Sequence, residues 1–335
     1  MALLPGSAAI DAGSNQLAPT TDQRGVIRPI DGDGSGVAIA DIGAYEAGPC
    51  TVTMMTVSTE PGDQAVCPGG TATFIAATSG GGGGIIPQWQ MSTDGKTFSN
   101  ISGARSLTLT VAGVTAAQNG TQYRAMFSNE CGSATSNPAT LTVNSAPSVT
   151  TNPVSQTMCA GGSISFTAAA TGAPAPAVQW QVSSGGGAFT NITGATGTTL
   201  TLNSTTAAQN GSQYRAVFTN ECNSAPSSPA ILTVHTAPVV TTNPVSQSAA
   251  ATTVTFTAAA AGTPTPTVQW QVSKGGAAFT NIPGATSTTL TFSPTASQSG
   301  DQYRAVFTEA CGTATTTAAT LTYYDTCIQD NNTKN

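Results

Sequence analysis

The chain has 335 residues of which only 7% are charged, with nine Lys and Arg against fifteen Asp and Glu and a net charge of −6. Three of the nine cations, Arg124, Arg215 and Arg304, recur at one position of an internal repeat, so no basic stripe follows a phosphate backbone and nucleic acid is not expected as a partner. Apolar runs never approach the roughly 20 residues of a membrane helix, so no membrane span is expected in this chain. The opening stretch "MALLPGSAAIDAG" lacks the basic region and apolar run of a secretory signal. Richness in Thr, Ser, Gly and Ala, with seven cysteines in no zinc-like spacing, fits an exported protein. We read the chain as an internal piece of something larger, its signal and anchor lying outside it.

The first segment, residues 1–49, does not share the repeat. Its phrases "SAAIDAGSN", "DQRG", "RPIDGDGSG" and "ADIGAYE" resemble the closing segment of right-handed parallel β-helix proteins, a bacterial secreted class, over residues 3–46. Such a fold buries its core only by stacking rungs, so the piece is expected to pack poorly, and the resemblance carries over no catalytic residue. "DGDGSG" makes Asp31 and Asp33 candidate calcium ligands, because carboxylates at alternate positions supply oxygen donors. Measured against an EF-hand loop, Ser35 stands at position 5 and Ile42 replaces the final Glu. A polar Gly-rich turn is the favoured reading.

From residue 50 one passage is written three times: "IPQWQMSTDGKTFSNISGARSLTLTV" (Ile86 to Val111), "AVQWQVSSGGGAFTNITGATGTTLTL" (Ala177 to Leu202) and "TVQWQVSKGGAAFTNIPGATSTTLTF" (Thr267 to Phe292). Trp89, Trp180 and Trp270 lie 91 and 90 residues apart; Tyr123, Tyr214 and Tyr303 lie 91 and 89 apart. Within a copy, short runs alternate between apolar and polar residues: Val254, Phe256 and Ala258 with threonines, Val268, Trp270 and Val272 with glutamines. A period of two gives each strand one buried and one wet face, and Gly, Pro and Asn fill the gaps as turn residues. The fold class is all-β.

"GAPAPAVQW" and "GTPTPTVQW" resemble the B–C corner of immunoglobulin-like domains, with a core Trp on strand C. "NGSQYRAVFTN" and "SGDQYRAVFTE" resemble strand F with its corner tyrosine. The resemblance is to the tandem immunoglobulin-like modules of large bacterial secreted and surface proteins. It implies three β-sandwiches in an elongated array, residues 50–144, 145–235 and 236–325, with a tail or the start of a further module at 326–335. Trp89, Trp180, Trp270, Tyr123, Tyr214 and Tyr303 are then core residues. The usual disulfide positions hold alanine throughout: Ala76 and Ala125, Ala168 and Ala216, Ala258 and Ala305. Each module is left to its hydrophobic core, which a domain of about 90 residues can sustain.

The cysteines stand elsewhere, Cys67 and Cys159 before strand B, and Cys131, Cys222 and Cys311 after strand F. Pairing within a module is the obvious scheme. In the immunoglobulin sandwich, however, strands B and F run toward the same end, so those cysteines sit on the order of 30 Å apart, against a Cα limit near 7 Å. The topology implies bridges between modules instead: Cys67 with Cys222, Cys159 with Cys311, and Cys50 with Cys131, leaving Cys327 unpaired. The third copy has "QSAAATT" (Gln247 to Thr253) where the other two have their A–B cysteine. With the short connectors "VNSAPSV" and "VHTAPVV", stapled joints imply a stiff rod, and disulfides imply an extracellular setting.

No catalytic set and no cofactor site is expected. His235 is the one histidine, so Ser-His-Asp, Cys-His and His-based zinc sites find no second imidazole; in its connector it reads as a solvated residue. Gly80 to Gly84 read as a flexible B–C loop, since no strand–loop–helix context surrounds them. Glu130, Glu221 and Glu309 follow strand F, and their repetition suggests a loop or surface role. Two-acid glycoside chemistry needs both acids in one cleft. The expectation is a non-enzymatic stalk. The alternatives are an adhesion module binding a host protein, a glycan or a neighbouring cell through loop ends, and an accessory region of a polysaccharide-active enzyme; a partner, if any, is an extracellular protein or glycan. The F–G loops "SNECGSATS", "TNECNSAPS" and "TEACGTATT" are short and alike, where binding loops diverge and carry aromatic anchors. The sequons at Asn100, Asn119, Asn191, Asn203 and Asn210 carry little weight in a bacterial protein.

Overall fold

The computed structural model describes residues 54–129, 132–250 and 252–324. The β-helix-like segment with Asp31 and Asp33, and Cys50, Cys131 and Cys327, lie outside these residues. What is described is all-β, with single-turn 3-10 helices and no helix long and apolar enough to cross a membrane. It divides into two compact units. One holds the described residues up to 146 together with 172–175 and 220–223; the other holds 147–171, 176–219 and the described residues from 224 onward.

Each copy of the repeat forms the same sandwich. In module 1, strand B (Thr71–Ile75) pairs antiparallel with strand E (Thr108–Ala112). Strand C (Ile86–Ser92) pairs with strand F (Gln122–Asn129) and with the short C′ (Ser99–Asn100). Strand G (Ala139–Val143) pairs antiparallel with F and parallel with A′ (Gln64–Val66). Module 2 repeats this with B Ile164–Thr167, C Ala177–Ser183 and F Gln213–Asn220; module 3 does so with B Val254–Thr257, C Thr267–Ser273 and F Gln302–Glu309.

The period-two pattern accounts for the layers. Along strand F of module 2, Tyr214, Ala216 and Phe218 are buried while Gln213 and Arg215 face outward. Trp89, Trp180 and Trp270 are completely buried, and each indole Nε1 donates to a backbone carbonyl, of Ser106, Gly197 and Ser287, at 2.8–2.9 Å. The only polar atom of each large ring is thereby satisfied at the centre of an apolar core. A phenylalanine of strand B packs on the corner tyrosine: Phe74 on Tyr123, Phe166 on Tyr214 and Phe256 on Tyr303, with ring centroids 4.8–5.1 Å apart. Ala125, Ala216 and Ala305 lie opposite the three tryptophans in the C–F register and are fully buried. The small alanine side chain leaves room for the indole where a disulfide would otherwise stand.

One element goes further than the sequence reading. The short connector "VHTAPVV" has no loop in it: Ala230–Thr242 is a single strand that closes module 2 as its strand G and opens module 3 as its strand A. It pairs parallel with A′ of module 2 (Gln156–Cys159) and antiparallel with Ala259–Thr263 of module 3. Pro238 falls where the second register shifts, between Thr236 and Val239. A residue without an N–H is tolerated at such an irregularity, which is why a proline did not break the strand.

Candidate functional site

Among the described residues, three places gather polar chemistry. The first is the wet face of the C–F sheet, built identically in each module. Arg124 Nε donates to Gln90 Oε1 at 2.8 Å, and Gln90 Nε2 donates to Asn100 Oδ1 at 2.9 Å. Arg215, Gln181 and Asn191 repeat this at 2.9 Å for both bonds; Arg304, Gln271 and Asn281 do so at 2.8 and 3.0 Å. Each guanidinium also lies 3.9–4.0 Å over a phenylalanine ring, Phe98, Phe189 or Phe279. The arginines that recur in the sequence are thus engaged by their own sheet, in pairs that typically contribute about 0.5–1 kcal/mol at exposed sites.

The second is a groove of about 630 Å³ in module 3, lined among others by Lys274, Asn281, Phe292, Gln298, Asp301 and Tyr303. It offers one carboxylate, whereas glycoside hydrolysis generally uses two. Burial pushes the Tyr303 hydroxyl up to about 12, and the adjacent Asp301 charge adds to the shift. Burial likewise raises Tyr123 and Tyr214.

The third is the pair of joints. Cys67 is bonded to Cys222, Cα–Cα 5.4 Å, and Cys159 to Cys311, Cα–Cα 5.6 Å. Each bridge takes a cysteine beside strand A′ of one module and one from the F–G loop of the next. Around Cys222, Asn220 Oδ1 accepts the Cys222 N–H at 3.0 Å, and Asn220 Nδ2 donates to the carbonyls of Ser145 and Pro174 at 2.8 and 3.0 Å. Asn144 Nδ2 donates to Glu221 Oε1. Around Cys311, Glu309 stands at the Asn220 position and its Oε2 accepts the Cys311 N–H at 2.6 Å. His235 stands at the Asn144 position, and its Nδ1 lies 2.9 Å from Glu309 Oε1.

Two sequence readings are corrected here. His235 is not simply solvated: its side chain is 23% exposed and faces a carboxylate that is 2% exposed. Glu309 is not a surface repeat of Glu221, because it precedes its cysteine by two residues rather than one. The shift of acid from "NEC" to "EAC", together with the change from "VNSAP" to "VHTAP", was the signal that these residues meet. The Gly80 to Gly84 loop takes left-handed backbone at Gly80, Gly81, Gly82 and Gly84, conformations glycine adopts at low cost.

A family profile described as "Domain of unknown function (DUF8696)" matches residues 56–145, 149–236 and 239–325. Endoglucanase C of Cellulomonas fimi is 50% identical over 181 residues, which are 53% of this chain and 16% of that protein; the chain thus matches only a small part of that relative's length. Among solved structures, the titin I-band fragment I67–I69 aligns with TM-score 0.62 and 19% identity, covering 81% of this chain and 100% of the fragment. A variant of that fragment with Glu-to-Ala changes aligns at 0.61 over the same shares, also at 19% identity. That likeness is one of fold, three tandem immunoglobulin-like domains. With the profile matched three times over most of its length, the chain belongs to the DUF8696 family.

Proposed function

We propose that these modules, with boundaries at 50–144, 145–235 and 236–325, are a non-enzymatic extracellular spacer in a secreted or surface protein of a bacterium. The observation that carries this reading is the use of the F–G loops. Cys222 and Cys311, at the loop tips where immunoglobulin-like domains often bind partners, are bonded into joints. The exposed C–F faces support it too, because their arginine, glutamine and asparagine side chains bond one another. Adhesion through the F–G loops of modules 2 and 3 is disfavoured for the same reasons. Disulfides favour an oxidising compartment.

The likeness to part of Endoglucanase C favours one second reading: these modules are the accessory region of a polysaccharide-active enzyme, which itself needs a spacer. The test uses the purified oxidised chain. Backbone relaxation is measured before and after disulfide reduction, alongside sedimentation with insoluble glucan. The spacer reading expects coupled tumbling of adjacent modules that loosens on reduction, and no retention on glucan. Saturable retention would put the accessory reading first, and independent tumbling with the disulfides intact would overturn the spacer.

A further inference from the structure

Four metal-ligating side chains, drawn from parts of the chain up to 152 residues apart, meet at the joint closed by Cys159 and Cys311. Cys159 lies opposite His235 in the parallel register of their strands. Cys311 is bonded to Cys159, and Glu309 reaches back from strand F to His235. One donor atom each from His235, Glu309 and Cys311 lie within 4.8 Å of one another. Glu309 Oε1 is buried and accepts no hydrogen bond; its facing group is the imidazole. A buried carboxylate oxygen left without a donor is costly unless a charge or a metal compensates it.

The geometry points to a redox-gated zinc site made of Cys159, Cys311, His235 and Glu309. Two sulfurs, one imidazole nitrogen and one carboxylate oxygen are the donor set of a four-coordinate zinc ion. In the oxidised chain the sulfurs are bonded to each other and the site is closed. A dithiol reductant opens it: two electrons cleave the S–S bond, both cysteines become thiols, and the reductant leaves as its cyclic disulfide. Zinc then displaces the two thiol protons and binds both thiolates. Zinc bonds of about 2.0–2.3 Å place donors roughly 3.3–3.8 Å apart, so the donors of His235, Glu309 and Cys311, now within 4.8 Å of one another, need to close by about 1 Å while the two sulfurs, freed by reduction, move apart. On the His235 and Cys159 side the backbone frame has bonds of its own besides the bridge. Strand Ala230–Thr242 holds His235 beside Cys159 through its own ladder, and Ala160 N–H donates to the His235 carbonyl at 2.8 Å. The other joint is a built-in contrast, since Asn144 replaces the imidazole there.

Cobalt(II) titration of the full chain tests this, in a background where Cys50, Cys67, Cys131, Cys222 and Cys327 are replaced by Ala and circular dichroism shows the β-fold retained after reduction. The reduced protein is expected to bind one equivalent of cobalt with thiolate charge-transfer and tetrahedral d–d bands, and zinc to displace it. The oxidised protein should show neither. His235→Asn, a residue the equivalent position already carries, and Glu309→Gln should each weaken binding by about tenfold or more, as loss of even an outer-shell partner does. Equal binding before and after reduction, or cobalt spectra and affinity unmoved by both substitutions, would overturn the proposal. So would the absence of thiolate bands in the folded reduced chain.

Discussion

Trp180 and Ala216 face each other directly across the C–F register of module 2, and both are completely buried. Their pairing states how this module holds its sandwich together: an indole set against a methyl group where the immunoglobulin pattern has a disulfide. Trp180→Ala is therefore expected to cost module 2 about 3–5 kcal/mol, the range for removing a large buried aromatic. Hydrogen exchange of amides in strands B and F of that module measures it, with protection in module 1 little changed.

Ser227 Oγ accepts the buried Ala216 N–H at 3.0 Å, while the Ser227 N–H donates to the Ala216 carbonyl at 2.8 Å. Ser136 with Ala125 and Thr316 with Ala305 repeat the hydroxyl bond. Ser227→Ala leaves a buried backbone donor without its acceptor, which costs about 1–3 kcal/mol. Ser227→Thr, the residue type module 3 uses, should restore most of it. Urea unfolding of both variants checks the pair.

Alkaline pH should weaken module 3 first. The Tyr303 hydroxyl is raised from 10.0 to about 12 in the folded chain, by burial and then by Asp301. The folded state thus keeps a proton that the unfolded state loses. The resulting stability is fully present below pH 10 and is lost as pH rises through 12. Asp301→Asn should lower the Tyr303 value and narrow that window, bringing it toward module 2, where Ser212 stands at the same position. Spectrophotometric titration of tyrosinate, with denaturation followed over the same range, reads both.

The all-β class and the buried tryptophans were legible because they depend on residues close in sequence: alternation along a strand, and turn residues between strands. The connectors were less so. Pro238 in its short connector looks like a break between strands, yet the ladders on either side carry the strand through. The His235 and Glu309 contact was hidden for a different reason. Its partners are remote in the chain, and only the topology, with one module's last strand running beside the next module's F–G loop, brings imidazole and carboxylate together. The fully buried alanines needed no topology to be noticed, since their departure from the immunoglobulin pattern is visible position by position.

The most direct test of stapled joints is a disulfide map of the purified chain, from non-reducing digestion and mass spectrometry of the linked peptides. The expected result is one peptide joining Cys67 to Cys222 and another joining Cys159 to Cys311. Peptides joining Cys67 to Cys131 or Cys159 to Cys222, or free thiols at these positions in the oxidised protein, would contradict it and return the F–G loops to the surface as binding elements.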